Sequence, residues 1–424
     1  MRITKITKNP FLLFSPFLVL YILLVFILPT HGTTGDENRY IMYAQNLNNG
    51  FYSLPGNDIG DGPGYSILLM PFMALGLPLI CIALVNALLY YLSVILLFKS
   101  LQHVVSFQLA LLGSLFWGCY YNSYENIPLV LPEIFSAFLI SLLIFNLLMA
   151  FRPVNSKKTK KYIYFSGFII GYIALTKVIF GYVLAFMLIG SGLLWIINRK
   201  NADYRTVVII FLIALTTTLP YLIFTYRVTG KTLYWGTSGG ENLYWMSTPY
   251  EGEYGNWFHP PVNGIIPDAE YIITLNHRAD FEEILKYKGA ERDDVFKKLA
   301  IENIRSHPVK FVKNCVTNIG RLLFNYPYSY KFQKPATLLR ILPNGILVVF
   351  MIFCLVPTLI NWRKIIFPGR FLLFFALLYL GGTTLASAET RMFTVIVPVL
   401  LFWVALIIQK SIKLSMTWEN VDLK

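Results

Sequence analysis

Residues 162–197 read YIYFSGFIIGYIALTKVIFGYVLAFMLIGSGLLWII, an apolar run broken by a single charge, Lys177. As one helix rising 1.5 Å per residue, the run would extend about 54 Å, far beyond the roughly 30 Å of bilayer hydrocarbon. Two helices turning near Lys177 resolve the mismatch. The stretch from Phe371 to Ile408 poses the same problem, and there Glu389 and Arg391 mark the turn. The fold class that follows is an all-α polytopic membrane protein.

Outward from these hairpins, apolar runs long enough to cross a bilayer lie at Phe11 to Leu28, Pro78 to Phe98, Val104 to Cys119, Pro128 to Phe151, Val207 to Tyr226 and about Leu338 to Trp362. The expected total is about ten transmembrane helices. Composition agrees, with 56% hydrophobic residues, 14% charged and a mean hydropathy of +0.58, too apolar for a soluble core under a polar shell. The formal net charge of +14 does not indicate a nucleic-acid partner, because Lys and Arg sit between apolar runs and not on one face. Cys81, Cys119, Cys315 and Cys354 show no C-x-x-C spacing, which leaves neither a zinc site nor a disulfide framework. Arg2, Lys5 and Lys8 precede the first apolar run, which is too long for a signal-peptide core and lacks an A-x-A site. It is read as a retained helix.

Lys and Arg are retained on the cytoplasmic side of short linkers. The basic set is the N-terminus, Lys99, Arg152 to Lys161, Arg199 with Lys200 and Arg205, Arg363 with Lys364 and Arg370, and the tail from Lys410. Both termini are therefore expected in the cytoplasm, in a multi-pass protein of the plasma or inner membrane. The alternate tips face outward: the loop 30–64, the tip at Glu125, Lys177, the segment 227–335, and Glu389 with Arg391. The expected organisation is a transmembrane module over 1–226, a small outward α-rich domain over 227–335, and C-terminal helices over 336–424.

In the first outward loop, Asp36-Glu37-Asn38-Arg39-Tyr40 leads into apolar positions at Tyr43, Ala44 and Leu47, then Gly50. This is the spacing of a short amphipathic helix started by Asp36, lying on the membrane surface. The structural alternative for Asp36 is a helix N-cap. Further on, Asp58, Asp61 and Gly62-Pro63-Gly64-Tyr65 precede an apolar stretch, ending at Gly76, that is too short to span.

These residues, Gly35-Asp36-Glu37, Tyr40, Ala44, Leu47, Gly50, Tyr52 and Gly62-Pro63-Gly64-Tyr65, resemble the first loop of GT-C glycosyltransferases of the protein mannosyltransferase and aminoarabinose transferase kind. Pro132-Glu133-Ile134 is similar to that family's second acidic position, Ala174-Leu175-Thr176-Lys177 to its L-T-K turn, and Glu389-Thr390-Arg391-Met392-Phe393 to its R-Y segment. The resemblance covers roughly residues 1–225 and 370–410. It departs at Gly60-Asp61-Gly62-Pro63-Gly64, where the family usually carries Lys or His before a Pro-Pro pair.

The resemblance implies a GT-C-like bundle with outward juxtamembrane helices, and an inverting enzyme that moves a sugar from a polyprenyl-phosphate-linked donor. The acceptor would be a lipid, glycan or protein, on the outer face. Asp36 is then the candidate base for the acceptor hydroxyl, since a carboxylate in hydrogen-bond reach can take its proton during attack. Glu37 would orient it or bind sugar. Glu133, about 7.5 Å into its helix, would give acidic support. Lys177 and Arg391 would stabilise the departing phosphate, and Arg39, Tyr40 and Asp61 complete the candidate substrate contacts. For Glu133 the structural alternative is a snorkelling helix-end acid, and for Lys177 and Arg391 it is headgroup anchoring. No cofactor is required by the sequence. A divalent cation is left open, but no metal-ligand spacing is present, including at His259 and His277. Tyr234, Trp235, Tyr244, Trp245, Tyr254 and Trp257 are read as an aromatic belt, with stacking on sugar rings as the functional alternative. Two other readings are a lipid-linked polysaccharide polymerase or ligase, with essential Arg and His in 227–335, and a transporter or flippase, which needs charges at the bilayer midplane.

Overall fold

Capping residues and prolines cut the apolar runs into helices at chemically sensible points. The computed structural model describes residues 9–28, 33, 35–152, 157–258, 268–325, 336–386 and 388–411. Arg2, Lys5, Lys8, His259 and the tail beyond Ser411 lie outside the described residues.

In chain order the helices are α1 (Pro10–Leu13), α2 (Ser15–Ile27), α3 (Asp36–Asn48), α4 (Pro63–Ala74), α5 (Ile80–Gln102), α6 (Phe107–Gly118), α7 (Tyr121–Asn126) and α8 (Glu133–Ala150). They continue as α9 (Lys157–Thr176), α10 (Ile179–Ile197), α11 (Ala202–Thr229), α12 (Gly239–Met246), α13 (Asp268–Ile284), α14 (Gly289–Ser306) and α15 (Pro308–Phe324). The last four are α16 (Ala336–Ile360), α17 (Phe367–Leu385), α18 (Thr390–Thr394) and α19 (Val397–Ser411). Asn201 starts α11 by accepting the backbone N–H groups of Asp203 and Tyr204, and Gly230 in the left-handed region ends it. The hairpin at Lys177 is present between α9 and α10.

Among the described residues, six helices are long and apolar enough to cross a membrane: α5, α8, α10, α11, α17 and Leu338–Ile360 within α16. α2, α4, α6 and α19 are shorter and apolar. The stretch Val104 to Cys119, expected as a full span, yields in α6 a helix of only 12 residues, about 18 Å long. Ser106 caps its start, where its side chain accepts the Leu109 N–H, and Cys119 closes it.

α8 is the buried axis of the bundle, packed by α5, α9, α17 and α19. Around it, α2, α10 and α16 expose Phe26, Ile197 and Phe353 at 65%, 81% and 72%. Such side chains are in place only if lipid covers them. α12 to α15 gather at one end, with a small core of Tyr244, Trp245, Ile284, Phe296 and Ala300. The rings of Tyr244 and Trp245, read from sequence as part of a belt, are packed in that core. α15 is two-faced: it exposes Val309, Val312 and Val316 and buries Asn314, Asn318 and Arg321.

Candidate active site

A carboxylate at a helix start ordinarily caps its own backbone. Asp36 does not, because Gly35 takes the cap position at φ +48°, a conformation glycine adopts without strain, and Asp36 is the first helical residue. Both oxygens are used elsewhere. Oδ1 accepts from Arg39 Nη2 at 2.8 Å and Oδ2 from Arg391 Nη2 at 2.5 Å. Arg39 Nε donates to Asp61, whose other oxygen accepts from the Tyr40 hydroxyl at 2.9 Å.

Arg391 sits in the short α18. Its Nε donates to Glu389 at 2.6 Å, and its Nη1 lies 3.8 Å from Glu133 Oε1. That same oxygen accepts from Lys177 Nζ at 2.9 Å. Asp61, Arg39, Asp36, Arg391, Glu133 and Lys177 therefore form a continuous series of alternating charge, drawn from the first loop, the start of α8, the α9–α10 turn and the C-terminal hairpin.

Glu133 corrects the sequence reading of its depth. Pro132 holds the cap position and Glu133 itself begins α8, so it is not five residues into a helix. Its side chain is 2% exposed, against 12% for Lys177, 22% for Arg391 and 35% for Asp36. A snorkelling acid would reach water; this one is buried against two cations. Glu37 is also buried, and its Oε1 accepts the Val130 N–H at 2.9 Å, tying α3 to the backbone just before α8. Burial raises the Asp36 pKa, but the charges and hydrogen bonds of Arg391 and Arg39 outweigh it and hold the carboxyl below its ordinary value.

The loop that presents Asp61 is fixed from several sides. The Tyr52 hydroxyl donates to the Asp61 carbonyl at 2.8 Å, and the Tyr221 hydroxyl, which donates to the Trp235 carbonyl at 2.7 Å, lies 3.3 Å from it. The Thr237 N–H donates to the Ile59 carbonyl at 2.7 Å and the Ser238 hydroxyl to that of Gly60 at 3.1 Å. Glycines then allow the loop to lie on the Lys177 turn: a Cβ at Gly62 would come 2.1 Å from the Leu175 carbonyl oxygen, and one at Gly64 would come 2.6 Å from Thr176 Oγ1. Among the described residues, no group of three or more His, Cys, Asp or Glu could hold a metal ion.

Sequence reasoning missed the inner face of α15, where Asn318 bonds the Thr383, Thr384 and Ala386 carbonyls and Arg321 bonds that of Ala388, just before Arg391. The signal was available: Asn314, Asn318 and Arg321 recur at i, i+4, i+7 and form one polar stripe.

No protein-family model matches the chain, and no curated protein matches it in sequence. Solved structures do. An Archaeoglobus fulgidus oligosaccharyltransferase, tethered with an acceptor peptide containing the NVT sequon, aligns with a TM-score of 0.53 at 14% identity, over 93% of this chain and 49% of its own. The oligosaccharyltransferase AglB from the same organism, in complex with an inhibitory peptide and a dolichol-phosphate, aligns at 0.52 and 15% identity, over 93% and 50%. ArnT from Cupriavidus metallidurans bound to undecaprenyl phosphate aligns at 0.41 and 11%, over 93% and 77%. The chain spans about half the length of the archaeal oligosaccharyltransferases. In fold, the chain is similar to these archaeal oligosaccharyltransferases.

Proposed function

We propose that the chain is an inverting glycosyltransferase that takes a sugar from a polyprenyl-phosphate-linked donor and passes it to a hydroxyl of a lipid, glycan or protein acceptor. The observation that carries this reading is the alternating charge series at one end of the bundle, with Asp36 and Arg391 at its accessible part and Glu133 and Lys177 at its buried part.

In the reaction, the acceptor oxygen attacks the anomeric carbon as the bond from that carbon to the phosphate oxygen breaks on the opposite side. Asp36 takes the hydroxyl proton. Arg391 and Lys177 offset the charge gathering on the phosphate. Arg39, Tyr40 and Asp61 shape the rim that receives the substrates. Glu133 is too buried to meet a substrate directly. Its role is to hold the two cations against each other's repulsion, and Glu37 fixes α3 against the start of α8. With Arg391 engaged, Asp36 is a weak base. A donor phosphate that draws Arg391 toward itself loosens that hold, so the carboxylate gains basicity when the donor is in place.

We place this end of the bundle on the side away from the cytoplasm. At the opposite end Arg152 Nη2 lies 2.9 Å from His103 Nδ1, Lys410 donates to the Lys364 carbonyl, and Lys99 stands 4.9 Å over the Phe11 ring. That concentration of cations fits a cytoplasmic face, with both termini there.

The test compares membrane glycolipids and glycoproteins from cells with and without the gene. Loss of one glycoconjugate, together with build-up of a polyprenyl-phosphate sugar, supports the reading. Unchanged profiles count against it, and transport of a labelled sugar lipid into proteoliposomes without any transfer product would favour a flippase.

A further inference from the structure

The segment that carries Arg391 is held by a helix far from it in sequence. The two N–H groups of Asn318 Nδ2 are shared among the carbonyls of Thr383, Thr384 and Ala386, 3.0, 3.1 and 2.6 Å away, and its Oδ1 accepts the Ala388 N–H at 3.0 Å. Arg321 Nε donates to the Ala388 carbonyl at 3.1 Å, and the Thr390 hydroxyl donates to the Arg321 carbonyl at 3.2 Å. The rest of the Arg321 guanidinium donates to the carbonyls of Tyr254 and Gly255 at 3.2 and 2.9 Å, and to Asn318 Oδ1 at 2.6 Å. Asn318 is 0% exposed and Arg321 2%.

Burying a guanidinium is costly unless its donors find acceptors, and here three backbone carbonyls and the Asn318 side chain supply them. Side chains that bind carbonyls fix a segment's path regardless of the side chains it carries. The path they fix ends at Ala388, three residues short of Arg391, and the Thr390 hydroxyl then ties the next turn to the Arg321 carbonyl. From the other side, the Tyr379 hydroxyl donates to the Met392 carbonyl at 2.8 Å. The 2.5 Å contact between Arg391 and Asp36 is thus set by backbone positions that α15 and Tyr379 define.

We propose that Asn318 and Arg321 are positioning residues for Arg391: they determine where its guanidinium stands for the phosphate of the donor. This rests on the phosphate-binding role given to Arg391 above. It also gives α12 to α15 a task, since the same two side chains tie the Tyr254–Gly255 backbone of that end to the Arg391 segment.

The test uses the full chain in detergent, with undecaprenyl phosphate as the binding probe. Asn318→Ser and Arg321→Lys are each made in the native and Arg391→Ala backgrounds. Amide hydrogen exchange is followed over residues 386–392. Losing several carbonyl contacts should weaken binding on the order of tenfold in the native background. In the Arg391→Ala background it should change nothing, and exchange over 386–392 should quicken while that of α8 stays as it was. Equal weakening in both backgrounds, or unchanged exchange over 386–392, overturns the proposal. Where Asn318→Ser does not fold, Arg321→Lys in the same two backgrounds is read in its place. If Arg391→Ala alone binds the probe as the native chain does, the phosphate reading falls by itself. Exchange then decides the positioning: quicker over 386–392 upholds it, unchanged refutes it.

Discussion

Arg391 crosses 355 positions of sequence to set its Nη2 2.5 Å from an Asp36 oxygen, and the same guanidinium lies 3.8 Å from Glu133. One cation is therefore shared between an accessible carboxylate and a buried one. A donor phosphate competing for it meets a guanidinium whose backbone is already held in place.

The first prediction concerns pH. Burial pushes the Asp36 carboxyl up, and Arg391 and Arg39 pull it further down, so its folded value lies below the ordinary one. A depressed carboxyl contributes stability that is present above its unfolded pKa, near 3.9, and is lost as pH falls through the folded value. From about pH 5 to about pH 8 this group should give a flat profile for kcat/KM, with its acid limb below about 3.9. In Arg391→Ala, burial acts with less opposition, and the limb should move to higher pH. A limb that stays where it was in the variant means Arg391 does not govern Asp36.

The Lys177–Glu133 pair makes a stability prediction. Lys177→Ala leaves Glu133 buried with Arg391 3.8 Å from its Oε1, and breaking a buried pair by removing one partner costs about 3 to 5 kcal/mol. The double variant Lys177→Met, Glu133→Gln removes both charges and should recover most of that loss in thermal unfolding of the detergent-solubilised chain. Equal losses in the single and double variants would show that the two side chains do not act as a pair.

Gly62 supplies a steric prediction. Its Cβ would stand 2.1 Å from the Leu175 carbonyl oxygen, inside any permissible contact, so Gly62→Ala must shift either the Asp61 loop or the turn bearing Lys177. Sugar transfer should fall by at least about tenfold, since displacements near 1 Å at reacting groups carry large penalties. Gly192→Ala, in α10 with nothing within 4 Å of the added carbon, is the control. It should be neutral or stabilising by up to about 1 kcal/mol in thermal unfolding.

Charges that interrupt apolar runs made the Lys177 and Arg391 hairpins legible in the sequence, because a bilayer-length argument forces the chain to turn there. The helix at Asp36 was legible from its periodicity. Its partners were not, since no local pattern encodes a contact between residues 355 apart. Glu133 was placed too deep because Leu129, Val130 and Leu131 extend the apolar run ahead of the true helix start at Glu133. The glycines at 62 and 64 stood in the sequence only as part of the first-loop resemblance, and their close fit against the Leu175–Thr176 backbone appears only once the helices are packed. Asn318 and Arg321 lay in plain sight as a polar stripe, but which backbone they hold depends on how α15 meets α17 and α18.

The most direct test of the proposed chemistry is single-turnover sugar transfer by Asp36→Asn in membranes where the variant is inserted and binds polyprenyl phosphate as the native chain does. Asn keeps the shape of the side chain and removes its capacity to take a proton. Transfer should drop about a hundredfold to ten-thousandfold with donor binding retained. Transfer at the native rate would contradict the assignment of Asp36 as the base.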